Sequence, residues 1–157
     1  MRSRINRGWI VALAGVLLIG TGALAQGLSA TEEPIPPAIR LARLSGPIEV
    51  PPGDADGSGL ATFIIDPARS QLCFSIVVKD IVLPAIAAHI HVAPAGVAGP
   101  IVVPLTAPDA NGVSAGCIGG IDQQLLRAIK SHPRQYYVNV HTTDFPAGAV
   151  RGQLHRP

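Results

Sequence analysis

The chain shows no strong excess of either charge, only two cysteines and no repeat at a solenoid period. Three of its twelve basic residues, Arg2, Arg4 and Arg7, crowd the first positions, leaving nine against ten acidic residues, a net charge of about −1. That balance excludes an electrostatic nucleic-acid surface. The missing repeat excludes a stacked array.

What is present first is an address. Arg2, Arg4 and Arg7 precede an apolar run from Trp9 to Ile19 and the small-residue pattern Ala23-Leu24-Ala25. This is the pattern of a secretory signal peptide, residues 1–25, cleaved before Gln26. Trp9 to Ala25 is only marginally long enough to span a bilayer, so no membrane association is expected after cleavage. Residues 26–38 carry prolines and glutamates with little apolar periodicity and read as a flexible linker. The domain is expected over residues 39–157, enough for one core and too few for two. In an exported, oxidising setting Cys73 and Cys117 are expected to form a disulfide. The expected location is therefore periplasmic or secreted.

Short β-rich runs separated by glycine and proline fill the domain. Ala42 to Gly46, Leu60 to Asp66, Gln71 to Val78, Ala87 to Val92, Ile101 to Leu105, Tyr136 to Thr142 and Ala149 to His155 read as strands, the second and third as a hairpin. The glycine-rich stretch Asp54 to Gly59 starts like a calcium loop, but Ile65 stands where a bidentate Glu is needed. One helix is expected, Gln123 to Ser131, capped by Asp122 and stopped by Pro133. These features predict an all-β antiparallel sandwich or barrel with one short helix.

The histidines organise the chemistry. In AAHIHV, the period of a strand puts His89 and His91 on one face and Ile90 with Val92 on the other. The same alternation sets Tyr137, Asn139 and His141 against Val138 and Val140, and Arg151, Gln153 and His155 against Val150 and Leu154. Ile90, Val92, Val138, Val140 and Leu154 are expected in one core, which leaves the imidazoles on the less buried side. Asn139 is positioned to orient a histidine, and Arg151 to pair with Glu49. On a solvated face that pair would contribute only about 0–1 kcal/mol, and Gln153→Ala would cost little.

Leu44-Ser45-Gly46 with Glu49-Val50-Pro51-Pro52, then Ala88-His89-Ile90-His91, Gly99-Pro100, Tyr136 to Thr142 and Gly148 to Leu154 form a familiar series. Together they resemble the CHRD domain, named from chordin and common in exported bacterial proteins, over about Ala42 to Leu154. The resemblance implies an immunoglobulin-like β-sandwich or barrel and maps family motif positions onto His89, His91, His141 and Arg151. It carries no transferable activity or partner.

Three functions compete. The first is a non-catalytic binding or structural module, with a protein, a polymer or a metal ion as partner. The second is a divalent-metal site, because His89, His91 and His141 supply three imidazoles suited to copper or zinc with one position open. The third is an enzyme similar to copper-zinc superoxide dismutase, from which the sequence departs. It offers no bridging histidine. His132 lies before a proline at a helix end, and His155 is nearly terminal. The sequence therefore favours a module that is not an enzyme.

Overall fold

The computed structural model describes residues 36–157, so the expected signal peptide and most of the expected linker lie outside the described residues. Eight strands are present: β1 (Ala38–Ser45), β2 (Ser58–Asp66), β3 (Gln71–Lys79), β4 (Ala87–Val92), β5 (Ile101–Leu105), β6 (Val113–Ile118), β7 (Tyr136–His141) and β8 (Val150–Gln153), with one helix, α1 (Gln123–Ser131). They form one antiparallel sheet in the order β5-β4-β7-β8-β1-β2-β3-β6. The all-β sandwich or barrel with a single short helix is observed.

Pairing within the sheet is thinnest at one seam. β8 meets β1 at one registered pair, Ser45 with Arg151, and a bridge from Leu41 to His155 extends the contact. On either side of that seam the ladders are long, nine pairs between β2 and β3 and six between β4 and β7. The two halves share one core: Leu44, Phe63 and Ile76 from one side, Ile90, Val138, Val140 and Leu154 from the other. Val92 packs against it half-buried. Alternation builds this core, since β3 buries Leu72, Phe74, Ile76 and Val78 in strict phase.

Helix α1 starts where Asp122 accepts a hydrogen bond from the Leu125 amide at 2.8 Å, and it buries Leu126 and Ile129. Strand β6 escapes the sequence reading. It is an edge strand with only Ser114 buried, so no apolar alternation marks it. β1 likewise begins at Ala38, four residues before the apolar signal.

Cys73 and Cys117 stand opposite each other on β3 and β6 and are bonded. The bridge ties this edge strand to its neighbour. Alkylation of unreduced protein followed by mass spectrometry should therefore find no labelled thiol; two labelled cysteines would contradict the bridge.

Candidate metal centre

The centre grows from the register of three neighbouring strands. Asn139 on β7 faces His89 on β4 and Arg151 on β8, and in the next row Tyr137 faces His91 and Gln153. Alternation turns all of these to the side of the sheet opposite Ile90, Val138 and Val140. The expected polar face exists, but it is not open to solvent. Every residue of β7 is buried, His91 and His141 are each 8% exposed, and Arg151 is 1% exposed. His89 alone among the three histidines is half-buried.

Loops make the difference. The segment Ala93 to Gly99 is tied down over this face by Arg151, which donates to the carbonyls of Val97 (2.8 Å) and Pro94 (2.9 Å). Gln153 donates to Ala93 O at 2.8 Å and to Arg134 O at 2.7 Å. Its loss therefore costs more than a surface residue's, on the order of 1 kcal/mol. The Gly99 amide donates to the Tyr137 hydroxyl at 3.2 Å. A Cβ at Gly99 would lie 2.1 Å from Val92 O, so only glycine allows the loop this close.

Glu49 and Arg151 form a buried pair at 4.0 Å, with side chains 2% and 1% exposed. The solvent exposure expected for this pair is thus not found, because loops cover it. Glu49 also accepts from the Val50 amide at 2.9 Å and from Asn139 Nδ2 at 3.4 Å. Gly148, at φ +141°, opens the space for that carboxylate, because a Cβ there would sit 2.3 Å from Glu49 Oε2. The Arg151 guanidinium lies 3.4 Å from the centre of the Tyr137 ring, and the other neighbour of that ring is His91, stacked at 4.7 Å and 6°. Burial pushes the Arg151 pKa down, and Tyr137 and Glu49 oppose that shift.

The three histidines converge. One ligand atom from each lies within 4.8 Å of the others. His91 Nδ1 donates to Gly99 O at 2.8 Å and His141 Nδ1 donates to Pro146 O at 3.0 Å. A carbonyl only accepts, so each contact places the proton on Nδ1 and leaves the Nε2 lone pair pointing inward. Both Nε2 atoms lie 3.0 Å from Asn139 Oδ1, and His89 Nδ1 lies 3.1 Å from His141 Nε2. Backbone carbonyls, not Asn139, hold the far nitrogens. Asn139 faces the near ones.

His89 and His141 titrate below the ordinary histidine value of 6.5, chiefly because burial penalises the cation; at His89 the neighbouring His141 and His91 rings add to this, and at His141 the bond to Pro146 O and the Glu49 charge oppose it, with a small further lowering from His91. With folded values depressed, the unfolded chain binds more protons below pH 6.5, so stability is lost as pH falls. Metal-free protein should show a lower urea midpoint at pH 5 than at pH 7.5. An unchanged midpoint would contradict this reading.

His132 and His155 join no part of this centre. They line a separate groove of about 550 Å³ together with Arg134 and Arg156. Tyr137 is the participant that sequence reasoning missed, although its strand phase with Asn139 and His141 was a usable signal. No helix among the described residues is long and apolar enough to cross a membrane.

No curated protein and no solved structure matches the chain. The family model of the CHRD domain matches residues 41–154, a span that contains every strand from β2 to β8, the disulfide and all three histidines. The chain belongs to the CHRD domain family.

Proposed function

We propose that this domain is an extracytoplasmic, non-catalytic module that binds one divalent metal ion, copper or zinc, through His89, His91 and His141. The observation that carries the reading is the pair of backbone carbonyls, Gly99 O and Pro146 O, that fix two imidazoles with their Nε2 lone pairs turned to a common point. Metal-ligating histidines characteristically donate their second nitrogen in this way, which sets tautomer and ring angle before the ion arrives. The disulfide supports an oxidising compartment, as does the signal-like N-terminus.

The buried Glu49, Tyr137 and Arg151 serve this site as scaffolding. They hold the loop that supplies Gly99 O. A donor set of neutral nitrogens with no thiolate suits Cu²⁺ or Zn²⁺ better than calcium or magnesium, which require oxygen.

Binding to the folded state alone raises stability, by about 2.7 kcal/mol at a hundredfold excess over Kd. Thermal melts with Cu²⁺ or Zn²⁺ should show that gain, chelator should reverse it, and His141→Ala should abolish it. A melt insensitive to both metals would refute the proposal.

A further inference from the structure

The contacts around Asn139 carry the metal reading further. Its amide orientation follows from Glu49. Nδ2 donates to Glu49 Oε2 at 3.4 Å, and the reversed amide would set oxygen against carboxylate. Oδ1 therefore faces the histidines. It lies 3.0 Å from Nε2 of His91 and 3.0 Å from Nε2 of His141. Both of those rings already carry their proton on Nδ1, where a carbonyl receives it. In the neutral site the two contacts to Oδ1 are acceptor against acceptor. A proton on His89 Nδ1 satisfies its 3.1 Å contact with His141 Nε2 and does nothing for the other two.

A cation shared by all four atoms removes the conflict. The spacings also indicate its geometry. With metal–ligand bonds of about 2.0–2.2 Å, adjacent donors at right angles are separated by about 2.8–3.1 Å, and tetrahedral neighbours by about 3.3–3.6 Å. The three measured separations, 3.0, 3.0 and 3.1 Å, match the right-angled case. Tetragonal coordination by nitrogen and oxygen is the preference of Cu²⁺, and Zn²⁺ favours the tetrahedron in closed sites.

Building on the three-histidine reading above, we propose that Asn139 is itself a ligand, its Oδ1 completing a tetragonal N3O site that selects Cu²⁺ over Zn²⁺. The residue thereby has two tasks divided between its two amide atoms. Nδ2 is anchored by the buried Glu49–Arg151 pair, and Oδ1 is presented to the ion at fixed distance from two imidazoles.

A crystal structure of the copper-loaded protein tests this directly. The expected result is Asn139 Oδ1 within about 2.4 Å of the metal with three imidazole nitrogens around it. A metal held by the three histidines with Oδ1 beyond about 3 Å would overturn the Asn139 assignment and leave the three-histidine site standing. Protein that takes up no copper overturns both. As a solution counterpart, Asn139→Ala should weaken Cu²⁺ binding by about tenfold or more and Zn²⁺ binding by less, narrowing the preference between them. Equal weakening of both metals would show Asn139 to be a support for the histidines, not a ligand. The metal-free melt of the variant separates either effect from a folding defect.

Discussion

Val140→Asp is expected to leave the domain unfolded. Val140 is fully buried on β7, paired with Ala88 on β4 and Val150 on β8, both of which are also fully buried. The substitution removes about 1.5–3 kcal/mol of apolar burial and places a carboxylate inside the apolar core cluster. The desolvation cost is several kcal/mol more. Against a total stability of about 5–15 kcal/mol, that sum removes most or all of it. Far-UV circular dichroism and a urea titration at pH 7.5 should show no cooperative transition. Val140→Ala, which only creates a cavity, should stay folded with a lower midpoint. Native-like dichroism in the aspartate variant would mean that the phase of β7 is reversed.

Arg151→Ala should be the second most damaging change, at about 3–5 kcal/mol, the range for removing one partner of a buried ion pair. The guanidinium is 1% exposed. Its loss strands Glu49 without its cation, frees the carbonyls of Pro94 and Val97, and uncovers one face of Tyr137. Arg151→Lys should recover little, because an ammonium cannot reach two carbonyls and stack on a ring at once. The urea midpoint should fall with the slope unchanged. Because the loop carries Gly99 O, the partner of His91 Nδ1, metal affinity should fall as well. A loss under about 1 kcal/mol would show that this network is peripheral to the fold.

Periodicity made much of this fold legible. Ile90, Val138, Val140 and Leu154 declared the inner phase of three strands, and Asp122 with Pro133 bounded the helix. The same alternation put His89, His91, Asn139, His141 and Arg151 on one face. It could not reveal that this second face is covered. Burial there depends on Gly99, Pro94 and Pro146 reaching back through loops, contacts made between residues up to 57 positions apart that leave no periodic trace. Hence the Arg151–Glu49 pair reads as solvated in the sequence and is buried in the fold. Val113–Ile118 was illegible for the opposite reason, since an edge strand with one buried residue has almost no pattern to show.

The central claim is that three histidines bind one divalent ion. Its most direct test is calorimetric titration of metal-free protein with Cu²⁺, and separately Zn²⁺, at pH 7.5, where neutral imidazoles are available to the ion. The account predicts one equivalent bound by the wild type and none at that site in His91→Ala. No binding by the wild type, or binding that His91→Ala leaves intact, would contradict it.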